Sequence, residues 1–281
     1  MKNVFCVCNE LQEITIPSSV TYIGENIFSN CPKLTSIRFD PNCKLESLSN
    51  QFLSNCNPIQ EIELPTSITT LQENGFIGCA SLSRITMPNV KHIDRGTFDS
   101  CYSLSTIELP STLTYLGSFV FENCFELKEI NIPESVVKIG DQVFLNCEAL
   151  TSVTIPTSVT EVDHSLFRKC SHLKEIYIGK ERIKTYPFKV TYSIMLQLKE
   201  IGIECPEVIL TQEDVYLQKD LLKKNRTPIP KEVSYLDDNC FRNNRDFLTI
   251  KIHRNIKSIG KDCFVNCDAF IKNRSKIDYD K

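Results

Sequence analysis

A single interval governs this chain. Phe-x-x-Cys occurs at Phe28/Cys31, Phe76/Cys79, Phe98/Cys101, Phe121/Cys124, Phe144/Cys147, Phe167/Cys170 and Phe264/Cys267. Phe52/Cys56 reads as the same element with one extra residue, and Phe5/Cys8 opens the chain in mid-repeat. From Cys8 to Cys170 the cysteines of this element lie 23, 25, 23, 22, 23, 23 and 23 residues apart. So regular a period is the mark of a solenoid and outranks any local assignment of secondary structure. A chain of 281 residues would otherwise suggest two domains. A stacked array has no upper size set by one core, so the repeat predicts a single solenoid over 1–281.

Each unit follows Cys-x-x-Leu-x-x-Ile-x-Ile-Pro-x-x-Val-x-x-Ile, with Phe about five residues later. In Glu129-Ile130-Asn131-Ile132 the period-two alternation predicts a short strand with one apolar and one polar face. Pro133 stops it, because proline cannot donate to the next ladder bond; Pro17, Pro41, Pro65, Pro88, Pro110, Pro156 and Pro230 are expected to stop their own strands in the same way. One coil cannot bury its own apolar edge. Stacked copies convert isolated strands into a continuous parallel sheet, and burial of ~1.5–3 kcal/mol per large apolar side chain makes stacking the main source of stability.

The phrase resembles the BspA-type (Treponema pallidum-type) leucine-rich repeat, closely over 5–178 and again over 229–270. The resemblance implies a right-handed leucine-rich-repeat solenoid of about eleven coils, with a parallel β-sheet on one face. Short extended, 3-10 or helical segments around Val20-x-x-Ile23-type phrases are expected on the other. The place of the usual repeat Asn holds Ser19, Asn42, Ser67, Thr112, Ser135 and Ser158, a column expected to satisfy turn backbone groups from inside. The interval 179–228 departs from the pattern. It reads either as a small helical insertion, with Thr211-Gln-Glu-Asp214 capping a helix to Lys224, or as degenerate repeats. Leu173, Leu198, Leu222, Phe247 and Phe270 keep the phase, and Leu198-Lys-Glu-Ile201-Gly-Ile203 still reads as a strand phrase, which favours repeats. Residues 271–281 form a polar tail, in which Lys272–Lys276 is expected to cap the last coil.

The 14 cysteines suggest disulfides or a metal site, but neither fits. Neighbouring ladder cysteines point the same way, whereas a disulfide needs converging Cβ vectors. There is no Cys-x-x-Cys pair, and His92, His164, His172 and His253 share no register that would complete a zinc site. Cysteine is read instead as a small apolar residue filling a tight turn. No glycine-rich phosphate loop, nucleophile elbow or zinc helix occurs. Asp237/Asp238 and Glu213/Asp214 read as solvated loop or cap residues. The expectation is therefore no enzyme, no cofactor and no metal. A net charge of −3 does not provide the basic face that nucleic acid requires, and no stretch reaches a membrane span. The opening residues hold only a five-residue apolar run, Val4 to Cys8, so no export signal is read.

What remains is surface. The outward strand positions include Glu13, Arg38, Glu61, Glu63, Arg84, Glu108, Glu129, Asn131, Glu175 and Tyr177, with Glu200/Gly202 and Thr249/Lys251 continuing the series. Such a mildly acidic face predicts a protein-binding surface favouring a basic partner. Arg182-Ile-Lys-Thr-Tyr-Pro-Phe-Lys189, basic and aromatic, is a second candidate. The resemblance implies a non-enzymatic binding or adhesion scaffold at a cell surface. The absent export signal and unpaired cysteines point instead to the cytoplasm, and to a regulatory scaffold holding a signalling enzyme such as a phosphatase. The sequence sets neither partner nor oligomeric state.

Overall fold

A computed structural model describes residues 4–200, 202–217, 222, 229–247, 249–267 and 270–272. It is a parallel β-solenoid with little helix, about ten turns in all. It divides into two compact units, Met1–Ile183 and Lys184–Lys281.

In the first unit every coil has three sides. The Ile-x-Ile phrase makes the first, with strands at Glu13–Ile16, Ser36–Phe39, Glu61–Glu63, Arg84–Thr86, Glu129–Asn131, Ser152–Ile155 and Glu175–Ile178. They pair in parallel with like positions opposed, Ile14 to Ile37, Ile62 to Ile85, and Ile130 to Val153 to Ile176. A two-residue strand, Glu181–Arg182, folds back antiparallel on Glu175–Ile178 through Gly179 at φ 59° and covers that edge. The second side is itself a sheet. The Val-x-x-Ile phrase yields two-residue strands at Ser47–Leu48, Thr70–Leu71, His92–Ile93, Tyr115–Leu116 and Lys138–Ile139, all parallel.

The Phe-x-x-Cys element closes each coil as a tight turn with its own ladder. Phe98 N–H donates to Val120 O at 2.9 Å and Phe121 N–H to Val143 O at 3.0 Å. Two residues per turn take positive φ, such as Asn26 and Asn30 or Phe119 and Asn123. Asn suits this region because its short polar side chain tolerates left-handed backbone. The asparagines before cysteine also bond one another, Asn146 Nδ2 to Asn123 Oδ1 at 2.8 Å and Asn55 Nδ2 to Asn30 Oδ1 at 3.2 Å.

Inside, the phenyl groups form a column. Phe76, Phe98, Phe121, Phe144 and Phe167 stack at centroid separations of 5.5, 5.7, 5.9 and 6.1 Å. The stack turns edge-on at Phe52, at 85° to Phe28 and 79° to Phe76. The Cys56 turn corrects the sequence reading there: Leu53, not Phe52, holds the phenylalanine position. Leu53 N–H donates to Gly75 O, and the next thiol, Cys79, reaches Leu53 O. No residue has been inserted between Phe and Cys. The two extra residues of that coil lie earlier, in the turn after Phe39, since Ile37 to Leu48 is eleven positions while Ile62 to Leu71 is nine.

The small hydrogen-bonding column is only partly used. Thr112 Oγ1 donates to Val90 O at 2.9 Å and Ser158 Oγ donates to Val136 O, whereas Ser67 Oγ and Ser135 Oγ are buried without a partner.

In the second unit, strands Val190–Thr191, Val208–Leu210, Val233–Leu236 and Ser258–Ile259 form a parallel sheet, and Thr249–Lys251 pairs with Phe270–Lys272. The expected strand phrase from Leu198 begins instead in helix, over Leu198–Glu200. Tyr192–Glu200 is a helix that buries Tyr192, Ile194, Met195 and Leu198. It ends in a Schellman turn: Ile203 N–H bonds Leu198 O, Gly202 N–H bonds Lys199 O, and Gly202 has φ 78°. Glu200 and Gly202 therefore lie at a helix end and not on a strand face. The Thr211/Asp214 cap is present: Asp214 N–H donates to Thr211 Oγ1 at 3.1 Å and Thr211 N–H to Asp214 Oδ2 at 2.9 Å. Its helix is Gln212–Leu217; of the continuation expected to Lys224 only Leu222 is described, helical and buried, and the tail from 273 lies outside the described residues.

Candidate functional site

From Cys31 to Cys170 each ladder thiol donates to the carbonyl at the phenylalanine position of the preceding coil, at 2.8–3.3 Å. Cysteine thus fills the turn, as expected, and also supplies a hydrogen bond that composition did not reveal. All 14 are free thiols. Burial pushes Cys56 and Cys170 up to about 12, and pushes Cys101, Cys124 and Cys147 well above the ordinary range. Burial raises the cost of ionising the ladder thiols, which disfavours their reaction. Among the described residues no group of three or more metal-ligating side chains comes together.

The strand face is where polar groups gather. Glu61, Glu63, Arg84, Glu129 and Asn131 all point outward, each beside a buried Ile62, Ile85 or Ile130. Register sets Glu61 against Arg84 and Glu63 against Thr86. Glu13 and Arg38 are exposed and form an ion pair at 3.9 Å. At the other edge Tyr177 Oη donates to Glu175 Oε2 at 2.9 Å and Arg182 Nε lies 3.4 Å from Glu175, so these three form one half-exposed cluster. Among the described residues Glu61, Glu63, Arg84, Glu108 and Glu129 enter no ion pair. Their carboxylates outnumber the one guanidinium, which leaves the middle of the face acidic.

Glu108 departs from expectation. Thr106 and Glu108 are exposed, but Thr106-Ile107-Glu108 is not a strand. The coils on either side bond normally at its ends, through Ser103 N–H to Ala80 O at 3.0 Å and Thr114 N–H to Lys91 O at 2.8 Å. Between these points, among the described residues, no backbone hydrogen bond joins 81–89 to 104–111. A cleft of about 470 Å³ opens there, lined by Ser83–Pro88 on one wall and Thr106–Ser111 on the other. The cause is legible in the spacing. From the inward Ile of the strand to that of the next short strand is nine positions for Ile62–Leu71 and for Ile107–Leu116, but eight for Ile85–Ile93. The missing residue falls in the corner after Pro88, at one end of the cleft. Ile107 and Leu109 are only half-buried, whereas their counterparts Ile85 and Met87 are buried.

The second candidate, 182–189, turns its aromatics inward rather than outward. Tyr186 is buried and Phe188 packs edge-on to it at 5.4 Å.

The profile of the BspA type leucine rich repeat region matches in six copies, over residues 1–105, 91–205 and 203–275. The chain belongs to the BspA-type leucine-rich-repeat family. Among solved structures it is similar to the T. pallidum leucine-rich repeat protein TpLRR, at 23% identity and TM-score 0.51, covering 69% of this chain and 90% of that one. It also matches a leucine-rich repeat protein from Bacteroides ovatus at 22% identity and TM-score 0.43, over 95% of this chain and 79% of that one. The pneumococcal vaccine antigen PcpA matches at 16% identity and TM-score 0.45, over 89% of this chain and 68% of that one. At these identities the likeness concerns the fold. No curated protein sequence matches. BspA-type chains are repeat scaffolds of a kind that typically mediates protein interaction or adhesion. No helix among the described residues is long and apolar enough to cross a membrane.

Proposed function

We propose that this BspA-type chain is a non-enzymatic scaffold that binds or adheres to protein through its strand face. The acidic middle of that face is the docking surface: Glu61, Glu63, Glu108 and Glu129 around Arg84, flanked by Glu13/Arg38 and by Glu175/Tyr177. The observation that carries the reading is the set of exposed carboxylates, Glu61, Glu63 and Glu129 on strands with Glu108 beside them, that enter no ion pair among the described residues. Fold stability does not need them there, since the sheet is built by the inward Ile positions. A regular row of unpaired negative charge on a rigid support favours a positively charged partner and speeds encounter.

The test compares proteins retained on the immobilised chain with those retained on a Glu61→Lys, Glu63→Lys, Glu108→Lys variant with the same circular-dichroism spectrum. Retained proteins are expected to be lost from the variant and to weaken steeply with salt in the parent. Equal retention on both would remove the acidic face from the binding surface.

A further inference from the structure

The cleft between the Arg84–Thr86 strand and residues 106–111 is more than a gap in a regular face, because one wall is a strand edge with its backbone groups available. Bonds toward the preceding coil use Arg84 N–H, which donates to Gln60 O at 3.2 Å, and Thr86 O, which accepts from Leu64 N–H at 2.8 Å. Strand alternation then leaves the N–H and C=O of Ile85 and the N–H of Met87 on the edge that faces the cleft. The opposite wall offers the half-buried Ile107 and Leu109. Unpaired strand edges are templates for another strand, and proteins ordinarily cover them. Here the fold covers its terminal edge with Glu181–Arg182, whereas the Ile85–Met87 edge, one of several internal edges of this face, has no backbone partner among the described residues.

We propose that an extended segment of a protein partner adds as a strand to the Ile85–Met87 edge, inside this cleft. The proposal rests on the strand-face reading and deepens it. Its occupant follows from the lining. A strand presents alternate side chains to opposite faces. One set would meet Ile85, Met87, Ile107 and Leu109, and must be apolar. The other set would emerge between Arg84/Thr86 and Thr106/Glu108, with Glu61, Glu63 and Glu129 one coil further out, so the surrounding charge favours basic residues over acidic ones. The walls run six residues each, Ser83–Pro88 and Thr106–Ser111, enough for a segment of ~20 Å at ~3.3 Å per residue. The volume of about 470 Å³ lies within the ~300–1,000 Å³ of ordinary ligand clefts. The corner leading into the second wall carries an exposed aromatic pair, Tyr102 stacked on Phe125 at 5.1 Å, a further contact for an entering chain.

The test begins with amide hydrogen exchange on the free chain. The Ile85 and Met87 amides are expected to exchange at least tenfold faster than the paired amides of Ile62 and Leu64; equal protection overturns the proposal. A displayed library of random dodecapeptides is then selected on the chain. Enriched peptides are expected to alternate apolar and Lys/Arg residues and to protect the Ile85 and Met87 amides. They should lose at least tenfold in affinity when alternate peptide amides are N-methylated. Inserting one Ser between Pro88 and Asn89 restores the nine-residue spacing and is expected to close the cleft and abolish binding. Should the insertion fail to fold, the N-methylated peptides still decide. No enrichment, binding indifferent to N-methylation, or binding without protection of Ile85 and Met87 refutes strand addition. Peptides that bind without that protection but are lost on Glu61→Lys, Glu63→Lys leave the strand-face reading standing and remove only the cleft.

Discussion

Raising the pH should unfold this protein through its own cysteines. In the folded chain Cys56, Cys79, Cys101, Cys124, Cys147 and Cys170 are buried against carbonyls, and burial pushes each thiol above the ordinary value of 9.0, to about 12 for Cys56 and Cys170. In the unfolded chain the same thiols ionise at their ordinary value. Above pH 9 the folded state therefore holds more protons than the unfolded state, so the contribution of these groups is fully present below pH 9 and falls as pH rises toward 12. At pH 10 each thiol favours the unfolded chain by about 1.4 kcal/mol, and six together by about 8 kcal/mol, a large share of the ~5–15 kcal/mol stability of a typical domain. Urea titrations at pH 8 and pH 10 in reductant, followed by far-ultraviolet circular dichroism, should show a loss of that order. Tyrosine and lysine also titrate in this window, so the decisive comparison is with Cys124→Ala. That variant should be less stable at pH 8 but should lose about 1.4 kcal/mol less than the parent between pH 8 and pH 10. Equal losses in parent and variant, or a total below about 2 kcal/mol, would refute the reasoning, because either outcome means the ladder thiols ionise as readily folded as unfolded.

Three further expectations concern packing. Phe121→Ala removes a ring stacked between Phe98 at 5.7 Å and Phe144 at 5.9 Å and should cost about 3–5 kcal/mol in urea titration, with fast exchange spreading to the coils on both sides. Gly140→Ala brings a Cβ within 2.4 Å of the Ser118 backbone nitrogen, so two coils must part; a loss of about 1–3 kcal/mol is expected, read as a lowered thermal midpoint. Asp214→Ala strips the acceptor from Ser193 N–H and Thr211 N–H, each 2.9 Å away, and should destabilise the second unit by about 1–3 kcal/mol with loss of helical signal.

The coil itself was open to reading because its information is spread over many copies of one spacing. A two-residue strand such as His92–Ile93 carries no periodicity, so the second sheet had only the Val-x-x-Ile phrase to announce it. Leu198-Lys-Glu-Ile201-Gly-Ile203 shows the opposite failure. Its letters match a strand phrase and its position keeps the repeat phase, yet Ile194, Met195 and Leu198 lie on one helical face and Gly202 supplies the stop. The competing signal was local and was overruled by the long-range one. Of the face, Glu61, Glu63, Arg84, Glu129 and Asn131 could be assigned from alternation alone.

Phe52 and Glu108 share a deeper cause. In a stacked array the conformation of a coil depends on its fit to the next one as much as on its own residues. Two residues added after Phe39 are absorbed in a corner, and the wall positions recover their register by Leu48. One residue removed after Pro88 is also absorbed, for Ile93 still meets Leu116. The strand side of the next coil loses its ladder in both cases, between Ser36–Phe39 and Glu61–Glu63 and again at Thr106-Ile107-Glu108, although the last has the same alternation as Glu61-Ile62-Glu63. The letters that decide whether Glu108 sits on a sheet are therefore not its neighbours in sequence, but the length of the corner one coil away.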